Sequence, residues 1–327
     1  MRMTFLGANH DVTGSRTLLE VNGRYILIDD GMEQGENDFA SAPFPVAPGK
    51  IELVLLTHAH IDHTGMLPLL YKQGFRGAVY ATAETCSLCN IMLKDSAHIQ
   101  ESEAEYQTRK AMRAGKPAVE PLYALTDVEG LLPLFHPCRY GERFPITEGV
   151  DVRFTDIGHL LGSAAIELWL KEGGVERKIV FSGDVGNRNQ PIIKDPQAVD
   201  GADYLVIEST YGDRLHEQRS QANSVAFLAD VIQRTLDRGG NVVIPAFSVG
   251  RTQEMLYFIR EIKAQGMVHG HADFPVYVDW PMRPPPSFFS VKLTVWMKKP
   301  VRSWRPATIP LPFPACTPLY PPMNPRR

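Results

Sequence analysis

No stretch of the 327 residues approaches the roughly 18 uninterrupted apolar residues that a membrane-spanning helix requires, so no passage through a bilayer is expected. A basic-then-apolar leader is also lacking: Met1 to Phe5 runs straight into Leu6-Gly7-Ala8, and a cytoplasmic protein is expected. Cysteine is scarce. Cys86, Cys89, Cys138 and Cys316 are too few and too scattered for a disulfide framework in a chain of this length. Cys86 and Cys89 form a C-x-x-C pair, but without a second pair or a neighbouring His their expected role is packing within a helix. Neither sign of charge dominates, with 34 Lys and Arg against 37 Asp and Glu and a net charge of -3. Any nucleic-acid binding must therefore come from a local basic groove rather than from a global field. The chain does have 44% hydrophobic content, enough to bury one large core or two moderate ones.

Along the chain, Thr17 to Val21 and Tyr25 to Ile28 flank Asn22-Gly23, a strong hairpin signal. Ile51 to Leu56 is a short apolar run ending in Thr57-His58, and a helix is expected to start over Gly65 to Tyr71. Ala83 to Ala114 is charged, with periodic apolar residues and no Pro or Gly, which predicts one or two long helices. Val150 to Phe154, Ala164 to Leu170 and Lys178 to Phe181 read as strands. A second alternation follows, with strands expected at Tyr204–Ile207, Asn241–Pro245 and Pro275–Val278, and helices at Ser220–Leu236 and Thr252–Ala264. Helices packed against sheets are implied throughout. From Trp280 to Arg327 there is no Asp or Glu, eight Lys and Arg, and half of the 26 prolines, so a poorly ordered tail is expected there.

The strongest chemical signal is Thr57-His58-Ala59-His60-Ile61-Asp62-His63. Three imidazoles and a carboxylate within six residues supply neutral nitrogen donors suited to zinc, plus an oxygen donor that can hold a second ion or orient its water. A lone histidine is usually structural, but four such groups compressed into one loop are not. Asp156-Ile157-Gly158-His159 adds an imidazole after one strand, and Phe181-Ser182-Gly183-Asp184 adds a carboxylate after another.

These residues, in this order, resemble the metallo-β-lactamase superfamily over roughly residues 3 to 280. The resemblance implies an αββα sandwich in which His58, His60 and His159 bind one zinc, Asp62 and His63 bind a second, and Asp184 bridges. It also implies that Asp29, in Leu27-Ile28-Asp29-Asp30-Gly31, steadies the ligand loop, with Asp30 as the rival for that role. Ile207-Glu208-Ser209-Thr210-Tyr211-Gly212 and Pro245-Ala246-Phe247-Ser248-Val249-Gly250-Arg251-Thr252-Gln253-Glu254 look like signatures of the β-CASP branch, whose members cleave RNA or, less often, process DNA. That branch implies a supporting role for Glu208 near the leaving group. Arg251, where a Gly-Arg step opens a helix, is the candidate for RNA contact, and its bland alternative is a helix-surface arginine. His98, within Asp95 to Gln100, is expected to pack or hydrogen-bond near the cleft rather than to bind metal.

The resulting expectation is a metallo-β-lactamase domain over 1–208, an incomplete α/β β-CASP cap over 209–279, and a basic, Pro-rich, aberrant tail over 280–327. The expected reaction is RNA phosphodiester hydrolysis by a hydroxide activated between two zinc ions and oriented by Asp62. The branch has two further histidines that cannot be placed here, so the second zinc site is expected to be one His short and activity impaired. His269 and His271 are assigned to a loop before the Phe274 segment. RNA is the expected partner, and a homodimer is left open. Two rivals remain: a thioester or lactam hydrolase of the same fold, and an inactive RNA- or partner-binding remnant.

Overall fold

In the computed structural model, residues 1–35, 43–215, 221–271 and 273–278 are described. The expected tail, 280–327, lies outside them. The Asn22-Gly23 turn is the tight hairpin its sequence predicts: both residues take positive φ (51° and 73°), and Val21 pairs with Arg24 across a two-residue loop. It joins β2 (Arg16–Val21) to β3 (Arg24–Ile28), and β1 (Arg2–Gly7) pairs antiparallel with β2. Parallel strands β4 (Ile51–Leu55), β5 (Ala78–Thr82) and β6 (Phe135–Cys138) complete a six-stranded sheet.

Between β4 and β5 lie two short helices, α1 (Ile61–Thr64) and α2 (Leu67–Lys72). A single 31-residue helix, α3 (Ala83–Arg113), follows β5, and α4 (Leu125–Leu131) precedes β6. These helices gather on one side of the first sheet, where α3 packs on β5 and β6. The second sheet has five strands: β7 (Phe144–Thr147), β8 (Val150–Asp156), β9 (Ala164–Glu172), β10 (Val175–Phe181) and β11 (Tyr204–Val206).

The two sheets pack face to face. Along β9, Ala164, Ile166, Leu168 and Leu170 alternate inward to meet Leu19, Ile26, Leu53 and Leu55 of the first sheet. Glu167 and Trp169 take the opposite face, where the fully buried Glu167 carboxylate receives Arg153 Nε (2.7 Å), Arg153 Nη2 (2.7 Å), Lys178 Nζ (2.7 Å) and Thr155 Oγ1 (2.6 Å). The expected α/β sandwich is therefore present.

Contacts divide the chain into two compact units: Met1–Arg188 with Asp195–Gly212, and Asn189–Lys194 with the described residues after Gly212. In the second, α5 (Gln221–Asp237) and α6 (Arg251–Ala264) bury Val225, Ala229, Ile232, Phe258 and Ile262 between them. The strands expected at Asn241–Pro245 and Pro275–Val278 do not form. A strand exists only through a ladder partner, and among the described residues neither segment has one: Val243 is 86% exposed and Tyr277 54%.

Candidate metal centre

The histidine loop leaves the end of β4 and turns into α1, a four-residue helix that the sequence reading did not anticipate ahead of α2. Its shape is fixed by the chain on either side. Ser15 N–H donates to Asp62 O (2.8 Å), Asp30 N–H to His63 O (2.8 Å), Met32 N–H to Ile61 O (3.0 Å), and Met66 N–H to Asp30 O (2.9 Å). So close an approach demands glycine at position 31, where a Cβ would fall 1.6 Å from Asp62 O. Thr64 Oγ1 closes the turn by donating to His60 O (3.0 Å).

Two other strand ends bring the remaining candidate ligands, His159 and Asp184. Past β8, Ser163 Oγ accepts from His159 N–H (3.0 Å) and Leu160 N–H (3.1 Å), holding that loop closed. Past β10, Gly183 at φ +55° lets the backbone pass against Thr57, where a Cβ would meet Thr57 Cβ at 2.7 Å, and so presents Asp184 to the histidines.

One ligand atom from each of His58, His60, His159 and Asp184 lies within 4.8 Å of all the others. His58 Nε2 is 3.0 Å from His60 Nδ1, His159 Nε2 is 3.3 Å from the same atom, and Asp184 Oδ2 is 3.3 Å from His159 Nε2 and 3.7 Å from His58 Nε2. Burial drives the imidazole pKa values down, well below the ordinary value for His58 and to about 4 for His60, with the neighbouring imidazoles adding to the effect; burial lowers that of His159 as well. Neutral rings converging with free lone pairs beside a carboxylate are a donor set that fits a divalent cation.

His63 behaves differently. Burial alone would lower its pKa, but the carboxylates of Asp29 and Asp184 outweigh burial and raise it well above the ordinary value. Its Nδ1 is 2.7 Å from Asp29 Oδ2, while Nε2 faces Asp184 Oδ1 (3.2 Å) and Asp62 Oδ2 (3.8 Å). Asp62, His63 and Asp184 thus make a second set, of one imidazole and two carboxylates, which shares Asp184 with the four groups whose ligand atoms lie within 4.8 Å of one another.

Asp29 and Asp30, rivals for the supporting role, point in different directions. Asp29, in the left-handed region at φ 54°, also accepts from Thr57 N–H (2.8 Å) and Thr57 Oγ1 (2.9 Å). Asp30 turns its buried carboxylate to Arg16 Nε (2.6 Å); burial pushes its pKa up to about 6, and among the described residues its Oδ2 has no hydrogen-bond partner. Glu208 accepts from Val185 N–H (2.7 Å), and its own N–H donates to Ser182 Oγ (3.1 Å), so it braces the loop that carries Asp184.

Arg251 sits at the first turn of α6 in the second unit, paired with Glu254. His98 lies on the exposed face of α3, its Nδ1 3.7 Å from Glu101, outside both ligand sets. Cys89 is fully buried and Cys86 half-buried within α3. His271 Nε2 faces Asp237 Oδ1 (3.0 Å), and His269 exchanges two backbone hydrogen bonds with the Gln233 side chain. Sequence reasoning overlooked the roles of Thr57, Ser163 and Arg16. The one signal for Thr57 was a hydroxyl residue directly before the first histidine.

The family model described as "Metallo-beta-lactamase superfamily domain" matches residues 18–201, a span that contains His58, His60, Asp62, His63, His159 and Asp184. Ribonuclease TTHA0252 of Thermus thermophilus is 38% identical over 285 residues, covering 86% of this chain and 59% of that protein. Transcription termination factor FttA of Pyrococcus abyssi is 30% identical over 291 residues, covering 85% of this chain and 42% of that protein. The FttA of Methanocaldococcus jannaschii is 30% identical over 285 residues, with the same shares. The chain thus spans about two-fifths to three-fifths of the length of these curated relatives.

Proposed function

The chain belongs to the metallo-β-lactamase superfamily, and from that premise we propose that it is a zinc-dependent hydrolase of the β-CASP ribonuclease branch that cleaves RNA phosphodiester bonds. The observation that carries this reading is the convergence of three neutral imidazoles and one carboxylate within 4.8 Å, a nitrogen-rich set that suits zinc over the oxygen-seeking magnesium or calcium. The names of the relatives, ribonuclease and transcription termination factor, support RNA as the substrate. No described helix is long and apolar enough to cross a membrane, and a cytoplasmic setting goes with the proposal. So do the division into a catalytic domain over 1–208 and a cap over 209–279, and the RNA contact through Arg251.

When bound, two divalent ions supply Lewis acidity at the phosphate and lower the pKa of water. The protein contributes orientation. Burial keeps His58, His60 and His159 unprotonated and ready to coordinate. Asp29 accepts a hydrogen bond from His63 Nδ1–H, which fixes the tautomer and aims Nε2 at Asp184 and Asp62. Asp184, within reach of His58, His159 and His63, would be the carboxylate shared by the two sets when both are loaded. Asp62 has its pKa raised by burial and is placed to orient the attacking water and receive its proton. Glu208, held by Val185, keeps the Asp184 loop in register.

A second reading, RNA binding without turnover, is favoured by the three-donor second set. Labelled RNA incubated with the purified chain and zinc separates the two. Cleavage that stops with chelator, and in Asp184→Ala with unchanged far-UV circular dichroism, supports the hydrolase; binding with no cleavage supports the remnant. Cleavage retained in Asp184→Ala sinks the assignment of the site.

A further inference from the structure

The net charge of -3 leaves RNA attraction to some local feature, and the first unit has one on α3. From Tyr106 to Val119 the chain carries Arg109, Lys110, Arg113 and Lys116 and no acidic residue. All four cations are exposed. Arg109 makes a long 3.7 Å contact with Glu105, and among the described residues no ion pair joins Lys110, Arg113 or Lys116.

Tyr106, Arg109 or Lys110, and Arg113 recur at three- and four-residue spacing and so share one face of the helix. The Tyr106 ring is 55% exposed on that face. Beyond the helix the chain folds back: Thr108 Oγ1 accepts from Val119 N–H (2.9 Å) and donates to Val119 O (3.1 Å), which keeps the Gly115-Lys116-Pro117 turn at the same end. The helix dipole accounts for cations in the last turn. It does not account for Lys116 beyond that turn, nor for an exposed aromatic ring among the cations.

The location also suits a substrate path. Helix α3 is anchored at its start to the His159 loop, where Thr82 and Thr85 hydroxyls donate to Gly162 O (2.7 and 2.9 Å). It passes the metal loops at Gln100, whose side-chain amide is 3.7 Å from Met32 Sδ. Lys110 follows ten residues later, about 15 Å along the axis.

We propose that the C-terminal end of α3 and the turn after it, Tyr106 to Lys116, form a track for the phosphate backbone of single-stranded RNA, about 15 Å along the helix from where it passes the metal loops. Cations that follow phosphates, interleaved with a ring on which a base stacks, are the chemistry of sequence-tolerant single-strand binding. The proposal rests on the ribonuclease reading and adds the surface that holds the strand.

The test is fluorescence anisotropy of a labelled oligouridylate over a range of salt concentrations, with chelator present to stop cleavage. Arg109→Ala/Lys110→Ala/Arg113→Ala should make the plot of log affinity against log salt shallower by about 2, since each single-strand phosphate contact contributes about 0.7. Alanine preserves the helix. Tyr106→Ala should weaken binding about tenfold at unchanged slope. A control that removes three exposed cations elsewhere, Arg2→Ala/Arg139→Ala/Arg177→Ala, should leave the slope as in the wild type. Equal slopes in the wild type and the α3 triple variant, or equal losses in the triple variant and the control, overturn the track. If that happens while the wild type still cleaves RNA with zinc, the ribonuclease reading survives; if the wild type neither binds nor cleaves RNA, both fall.

Discussion

The two units differ in how firmly their loops are determined. In the first, the backbone of the ligand loop is stitched to neighbouring chain through Asp62 O, His63 O and Ile61 O, and the side chains behind it, Asp29 and Thr57, are buried. In the second, α5 and α6 share an apolar seam, but among the described residues Asn241–Pro245 and Pro275–Val278 run without a ladder and Val243 and Phe247 stand 86% and 80% exposed. Catalytic geometry requires the first kind of environment. Precision comes from redundant constraints on each ligand, and sequence motifs for a ligand mark where such constraints must exist.

The comparison is broken most severely at Gly31. Gly31→Ala places a Cβ 1.6 Å from Asp62 O, and a destabilisation of about 3 kcal/mol or more is expected from urea unfolding, with loss of metal affinity alongside. A neutral result would mean that the ligand loop is not held as described.

Next comes the buried carboxylate of Glu167 on β9. Burial alone would raise its pKa, but hydrogen bonds from Arg153, Lys178 and Thr155 outweigh that and hold it at about 2. A carboxyl whose folded pKa is depressed binds its proton more readily when unfolded, so its stabilisation is present above pH 4.5 and is lost as pH falls from 4.5 toward 2. The loss is on the order of 3 kcal/mol at most. Glu167→Gln should flatten the pH dependence of unfolding across that window; an unchanged slope would remove Glu167 as its source.

Asp29→Asn sharpens the comparison within the first unit. It removes the charge that orients His63 and leaves His58, His60, His159 and Asp184 in place. Metal affinity of the second set should fall about 10- to 100-fold, read by competition with a chromophoric chelator, while the first set is little affected. Equal weakening of both would show that the sets are not separable.

The smallest effect belongs to the second unit. Phe247→Ser changes an 80% exposed side chain, so chain stability should move by no more than about 0.5 kcal/mol. A larger loss by thermal melting would mean that this residue is covered in solution.

Much of this arrangement could be read from the sequence, for identifiable reasons. The Asn22-Gly23 turn is local chemistry, as two positive φ values restrict the residues allowed. The long helix over Ala83–Arg113 is periodic and unbroken by Gly or Pro. His58, His60, Asp62 and His63 are crowded in sequence, and His159 and Asp184 each follow a strand at a glycine, so the candidate ligands were legible before the convergence of His58, His60, His159 and Asp184 was. Choosing Asp29 over Asp30 needed the structure, because adjacent carboxylates differ only in the direction their side chains take. Helix α1 was missed because four residues are too short for periodicity. The strands at Asn241–Pro245 and Pro275–Val278 were expected from composition, but a strand depends on a partner that composition does not specify.

The central claim is that His58, His60, His159 and Asp184 hold a divalent ion. Native mass spectrometry of the zinc-loaded and then desalted chain tests it most directly, beside His58→Ala/His60→Ala. The account predicts one firmly held zinc per chain, a second that is lost on desalting because its set has three donors, and none in the double variant. No retained zinc in the wild type, or the same count in both proteins, would contradict it.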